Sequence, residues 1–486
     1  MFSKRLCRAY STTLNESTIA RPLIRTEYAV RGAIADKAAT MKKQMEQGIK
    51  FPFDKITHLN VGNPQDLGQK PITFNREVLA SCLTDDPERN RMIYSADAVD
   101  RADFYLSNIN NRAAGAYSDS PGIDIIVKEV KSFIEKRDDV EVGEDNIFLT
   151  EGANEGITLM MRLLIREKSD GIMIPIPQYP IYSALTTKYN GSQVPYYLDE
   201  NKGWGMSYEE LERSYNEATD RGVNVRALVV INPGNPTGHV LTQKDLNKVI
   251  QFAHDKQILV LADEVYQRNI YVDKEFCSVR KTLSELGSPY NDHVELASFH
   301  SLSKGLHGEC GLRGGFMELH NIDSFANATI NKFKAITSCA NIIGQIGVGL
   351  MVNPPTQDTV SEGVFDAYQE QEQAIFNGLK RRANIMTEKL NGIEGITCNE
   401  VEGAMYAFPK IDLPQSYCDS AHKEGVAPDL KYCLDILEKT GIMIVPGSGF
   451  GQEEGTYHFR ITNLVKSEEE MDAALQQIGN FTADLM

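Results

Sequence analysis

Residues 258–266 read Ile258-Leu259-Val260-Leu261-Ala262-Asp263-Glu264-Val265-Tyr266, an apolar run that stops abruptly on two carboxylates and then a phenol. An apolar run of this length without polar alternation is a strand covered on both faces. Similar runs occur at 146–149, 171–175, 225–231, 294–299 and 314–319. Between them, helical periodicity appears at 155–166, 182–189 and 242–254, the last opening on Thr242 and Asp245 in a capping-box pattern. Short two-sided strands alternating with helices predict an α/β fold, a mostly parallel sheet flanked by helices. In such sheets ligands bind beyond the carboxyl ends of the strands.

The residues following each run are therefore the place to look for chemistry. After Leu149 comes Thr150-Glu151-Gly152-Ala153-Asn154-Glu155-Gly156, a small-residue turn into a helix, read either as an anion cradle or as a plain βα turn. After Pro175 comes Ile176-Pro177-Gln178-Tyr179-Pro180, whose tyrosine either covers a flat ring or packs in the core. After Ile231 comes Asn232-Pro233-Gly234-Asn235-Pro236-Thr237-Gly238, a constrained loop that holds amide side chains in place. Asp263 is either a solvated strand end or a buried charge that needs a cation. After Phe299 comes His300-Ser301-Leu302-Ser303-Lys304, with Arg313 nine residues beyond the lysine. Lys304 is either a loop lysine or an amine poised to condense with an aldehyde, with Ser301, Ser303 and Arg313 on a phosphate. Together the strand ends offer a phosphate cradle, a stacking aromatic, an amide, a buried acid, a phenol and an amine nucleophile. That set suits pyridoxal 5'-phosphate.

Composition is consistent with a multidomain globular protein. The 486 residues exceed what one core usually supports, and 50 basic against 67 acidic residues give a net charge of −17. With no basic run to oppose that charge, a nucleic-acid partner is not expected. No apolar stretch approaches the ~20 residues that span a bilayer, so no membrane partner is expected either. Eight scattered cysteines without a CxxC pair exclude zinc and thioredoxin-like motifs, and no metal site is expected. Residues 1–20 begin with Lys4, Arg5 and Arg8 and carry no acid before Glu16, the composition of a mitochondrial presequence; the other reading is a cytoplasmic N-terminus. A long polar helical pattern at 359–390 follows Asn353-Pro354-Pro355. The expected division is an N-terminal arm with part of a small domain at 21–90, a large cofactor-binding domain at 91–355, and a smaller α+β domain at 356–486.

In their order along the chain, LNVGNPQ (Leu59 to Gln65), YSDSPG (Tyr117 to Gly122), TEGANEG, PIPQYP, NPGNPTG, LADEVY, SFHSLSKG and FRIT (Phe459 to Thr462) resemble the fold-type I pyridoxal-phosphate aminotransferases of class I/II. The resemblance covers nearly everything after residue 20. It implies that Lys304 carries the cofactor and later moves the substrate proton. It also implies that Asp263 pairs with the ring nitrogen, that Tyr266 and Asn235 hold the ring oxygen, and that Tyr179 stacks on the ring. Ala153, Asn154, Ser301, Ser303 and Arg313 would hold the phosphate. Arg460 would take the substrate α-carboxylate, with Gly62 lying against the substrate. Tyr117 would reach the cofactor of a partner subunit, which implies a homodimer. The wording NVGNPQ and HGECGLRGG resembles the alanine-using members. That implies L-alanine and 2-oxoglutarate giving pyruvate and L-glutamate in ping-pong fashion; an aromatic, kynurenine or glyoxylate-linked donor is the alternative. A dinucleotide oxidoreductase would need a GxGxxG turn, which residues 152–156 do not supply. An inactive relative serving as a binding protein would not need Lys304, Asp263 and Arg460 together. Trp204, His300 and His307 are read as packing residues or as supports behind the site rather than as catalysts, and Glu468-Glu469-Glu470 as a solvated helix face.

Overall fold

A computed structural model of the chain describes residues 13–28 and 32–486, so most of the 1–20 presequence expectation, and Cys7, lie outside the described residues. One seven-stranded sheet is built from β1 (Ile147–Glu151), β2 (Asp170–Ile176), β3 (Ser192–Tyr197), β4 (Asn224–Ile231), β5 (Leu259–Asp263), β6 (Leu296–Ser301) and β7 (Gly314–His320). The strands lie side by side in the order β1-β7-β6-β5-β4-β2-β3. Only β7 runs antiparallel to its neighbours, so the sheet is mostly parallel, as the two-sided runs predict. The edge strand β3 has no counterpart among those runs. It carries Pro195 and alternates buried with part-exposed residues, a pattern tolerated only at a sheet edge.

Several strands extend beyond their apolar runs into the polar residues that follow. Asp263 still pairs in register with Ile231 on one side and Phe299 on the other, which fixes three adjacent strand ends at one level. The sheet is buried on both faces by helices. Leu259 and Leu261 share a core with Ile157 and Met161 of α1 (Ala153–Leu164) and Leu185 of α2 (Ile181–Lys188). On the other face, Val260 and Ala262 meet Leu211 of α3 (Tyr208–Asp220) and Leu246 and Ile250 of α4 (Gln243–Lys256). The side-chain period of two along β5 produces this division. Thr242 caps α4 in a full capping box with Asp245.

The C-terminal part begins beyond α5 (Ser324–Thr337) with α6 (Glu362–Asn391) and ends with α7 (Glu468–Ala483). There Phe459–Thr462 lies between Tyr406–Ala407 and Val445–Pro446, antiparallel to both. Thr57–His58 pairs parallel with Ile442–Met443, which carries the N-terminal segment onto this part. The helix Thr73–Thr84 instead packs into the core that holds Leu149 and Phe316 of the large sheet. The segment 21–90 is thus shared between the two regions. No helix among the described residues is long and apolar enough to cross a membrane.

Leu261 is fully buried at the centre of the sheet, so Leu261→Ala should lower unfolding free energy by about 2–5 kcal/mol. Thr242→Ala, which removes only a cap, should cost about 1 kcal/mol. Urea unfolding of both variants measures the difference.

Candidate active site

A cavity of about 200 Å³ opens at the carboxyl ends of β4, β5 and β6. Gly62, Ala153, Asn154, Tyr179, Asn235, Asp263, Tyr266, Ser301, Ser303, Lys304, Arg313 and Arg460 all line it, which brings residues from distant parts of the chain into one wall. Tyr117 does not line the cavity; it stands 79% exposed. Trp204, His300 and His307 are also absent from its lining. Trp204 packs edge-on to Phe408 and His458, and His300 packs against Phe133 and Phe316. Burial lowers the pKa of His300 and His307 to about 3, so both stay neutral. Glu468-Glu469-Glu470 forms the first turn of α7, where acidic groups favour the helix dipole, and Glu470 pairs with Lys55 at 2.6 Å.

One end of the cavity is built for an anion. α1 starts at Gly152 (φ +69°) with no side-chain cap, so its first N–H groups remain available. A Cβ at Gly152 would come within 2.6 Å of the Arg313 guanidinium, so a side chain there would displace that group. Arg313 Nη2 donates to the Glu151 carbonyl (2.9 Å), and Nη1 donates to the Cys310 carbonyl (2.9 Å) and lies 3.4 Å from Ser303 Oγ. Ser301 Oγ and Ser303 Oγ are 3.0 Å apart.

The opposite end is acidic. Asp263 is 5% exposed, and its Oδ2 accepts from the Tyr182 hydroxyl at 3.0 Å. Burial raises its pKa to about 6, offset in part by Tyr182 and the Val265 N–H. Among the described residues no cation pairs with it, so the site favours a cationic group opposite this carboxylate.

Between the two ends, Lys304 Nζ donates to the Gly62 carbonyl and lies 3.8 Å from Cys310 Sγ. A Cβ on Gly62 would fall on the Tyr406 hydroxyl and within 3.3 Å of Lys304 Nζ, so this glycine leaves room that any side chain would occupy. The Tyr266 and Tyr406 hydroxyls are 3.2 Å apart, as are those of Tyr28 and Tyr179. Arg460 is 3% exposed; Nη1 donates to Asn235 Oδ1 (3.1 Å) and Nη2 to the Asn60 carbonyl (2.6 Å).

Tyr28, Val61, Ile231, Val265, Cys310 and Tyr406 also line the cavity and are not among the residues picked out by sequence reasoning, nor is Tyr182, which bonds Asp263 from behind the wall. Tyr182 lies in the first turn of α2, just after the loop that carries Tyr179, and its hydroxyl reaches Asp263 only through the packing of α2 on the sheet. Tyr406 has no local signal. It opposes Thr462 across the strand pair, two residues along from Arg460, so the sheet register carries its ring to the arginine. Tyr28 and Cys310 likewise enter the wall only through tertiary structure.

The family model for aminotransferase class I and II matches residues 55–478, and the chain belongs to this family. The chain is 47% identical over 471 residues to a probable mitochondrial alanine aminotransferase of Dictyostelium discoideum, covering 95% of this chain and 87% of that protein. It is 43% identical to glutamate–glyoxylate aminotransferase 1 of Arabidopsis thaliana, covering 98% of this chain and 96% of that one. Its fold is similar to the solved alanine aminotransferase of Pyrococcus furiosus, with a TM-score of 0.75 at 24% identity over 96% of this chain and 99% of that chain. The chain is thus a transaminase of the fold that its two-sided strands predict.

The Asp263 shift has a sign that can be tested. A carboxyl whose folded pKa exceeds its unfolded value favours folding when protonated, so the ligand-free chain loses stability as pH rises from about 4 to about 6. Glu318 and Glu264, raised by burial to about 7 and about 8, extend the same slope to higher pH. Asp263→Asn should remove about 3 kcal/mol of the pH 4–6 loss, measured as the difference between the two proteins' stability–pH curves.

Proposed function

We propose that the chain binds pyridoxal 5'-phosphate in this cavity and transfers the amino group of L-alanine to 2-oxoglutarate, releasing pyruvate and L-glutamate. The observation that carries the reading is the convergence of Lys304, an unanswered buried Asp263 and a buried Arg460 on one small cavity. The residues fit the cofactor at both ends. The free N–H groups at Ala153 and Asn154, with Ser301, Ser303 and Arg313, suit a phosphate, while the raised pKa of Asp263 calls for a cationic ring nitrogen.

When bound, the cofactor supplies an aldehyde that takes up the amino group and a cationic ring that draws off the electrons left at the substrate Cα. The residues do the rest. Lys304 Nζ would hold the cofactor and, once freed, would take the proton from the donor Cα and carry it through the transfer. Asp263, oriented by Tyr182, keeps the proton on the ring nitrogen. Tyr266 and Asn235 hold the ring oxygen, and Tyr179 covers the ring face. Arg460 takes the α-carboxylate through two N–H groups, a geometry lysine cannot reproduce. Gly62, which has no side chain to collide with the Tyr406 hydroxyl or Lys304, would lie against the substrate. The same residues serve the second substrate in reverse, so the kinetics are ping-pong.

The choice of alanine rests on the relatives named alanine aminotransferase. The glutamate–glyoxylate relative favours a second reading in which glyoxylate is the acceptor. A homodimer is part of the proposal: Tyr117 stands exposed, and α5 exposes Phe325, Phe333 and Ile336, so an apolar face is available to a second copy. The basic, acid-poor N-terminus and the Dictyostelium relative's name support a mitochondrial matrix location, with the cytoplasm as the alternative.

Purified protein should be yellow, and its spectrum should shift on addition of L-alanine. A panel of amino donors with 2-oxoglutarate and glyoxylate should give its highest kcat/KM with L-alanine and 2-oxoglutarate, in parallel double-reciprocal lines; a preference for glyoxylate would favour the second reading. Lys304→Ala should retain cofactor yet lose transamination by at least about 10⁴-fold, and substantial residual turnover would sink the assignment of Lys304.

A further inference from the structure

The reading of Arg460 as the carboxylate anchor leaves a physical question. A guanidinium buried to 3% exposure normally requires a counter-ion, yet no described carboxylate forms an ion pair with it. Its Nε is buried without a hydrogen-bond partner. Two aromatic rings take the place of an acid: the guanidinium carbon lies 4.2 Å from the Tyr406 ring centroid and 4.6 Å from that of Phe450. Ring faces carry negative quadrupole density, which offsets a cation without occupying its N–H donors. A carboxylate in the same place would compete with the incoming substrate.

Tyr406 has a second contact. Its hydroxyl lies 3.2 Å from that of Tyr266 and closes the space over Gly62 beside Lys304. Here the Tyr266 hydroxyl donates to that of Tyr406; a hydroxyl has a single proton to donate, so once Tyr266 donates to the cofactor ring oxygen, the bond between the two is kept by Tyr406 donating to Tyr266.

We propose that Tyr406 and Phe450 form an aromatic clamp that serves as the counter-ion of Arg460, and that the Tyr406 hydroxyl ties this clamp to Tyr266. Phe450 is then a positioning residue for carboxylate recognition, and Tyr406 is one for both the carboxylate and the cofactor. The inference rests on the proposed role of Arg460 and adds the residues through which that role is exerted.

The test uses the holoenzyme, with propionate as a probe that has alanine's carboxylate and no amine. Propionate affinity is measured by calorimetry, and the bound cofactor's absorption band is titrated with pH. Folding of each variant is checked by circular dichroism. Phe450→Leu and Tyr406→Leu should weaken propionate binding about tenfold, and Phe450→Leu should leave the pH midpoint of the band unchanged. Tyr406→Phe, which keeps the ring, should bind propionate normally but raise that midpoint by about half a unit. If Phe450→Leu does not fold, the contrast between Tyr406→Phe and Tyr406→Leu carries the test. Unchanged propionate affinity in the Leu variants, while Arg460→Lys binds it weakly, would overturn the clamp and leave the anchor standing. Unchanged affinity in Arg460→Lys as well would overturn the anchor itself. An unmoved midpoint in Tyr406→Phe would overturn the tie to Tyr266.

Discussion

A carboxylate at the end of a buried strand is the constraint around which the rest of the site is arranged. Asp263 cannot retreat to solvent, because its backbone pairs with Ile231 and Phe299 on either side. Among the described residues its carboxyl meets the Tyr182 hydroxyl and, at 3.4 Å, the Val265 N–H, and burial raises its pKa to about 6. Such a group destabilises the protein on its own at neutral pH and stabilises any complex that supplies a cation. In the proposed reading, folding and cofactor capture are linked through this one side chain.

The same logic recurs with the sign reversed at the other wall. Arg460 is a cation held out of water by two ring faces, an amide oxygen and a carbonyl. The anion end at Gly152, Ser301, Ser303 and Arg313 is a third case, donors gathered with no acid among them. Each end of the cavity carries an electrostatic deficit that a different part of a bound cofactor and substrate corrects. Lys304 stands between them beside Gly62, where the absence of a side chain lets the Tyr406 hydroxyl come close.

Much of this was legible in the sequence because parallel sheets confine function to strand ends. Once the run 258–262 is recognised as a two-sided strand, Asp263 must lie at the rim of the sheet, and the same step places Asn235, Ser301 and Lys304. Its failures have physical causes. β3 escaped notice because an edge strand needs only one buried face and can carry Pro195. Tyr406 escaped because it reaches the site through a cross-strand diagonal to Arg460, and no spacing along the chain encodes that pairing. Tyr182 stands in the first turn of α2, just past the loop that holds Tyr179, and only the packing of that helix on the sheet brings its hydroxyl to Asp263. Trp204 and His300 pack against aromatic rings and His307 is buried and neutral, none of them lining the cavity.

The central claim is a covalent one: the cofactor is carried by the amine of Lys304, opposite Asp263. Borohydride reduction of the native yellow protein, followed by peptide mass mapping, examines it directly. The account predicts a single reduced pyridoxyl-phosphate adduct on the peptide containing Lys304. An adduct on another lysine, or none, would contradict it.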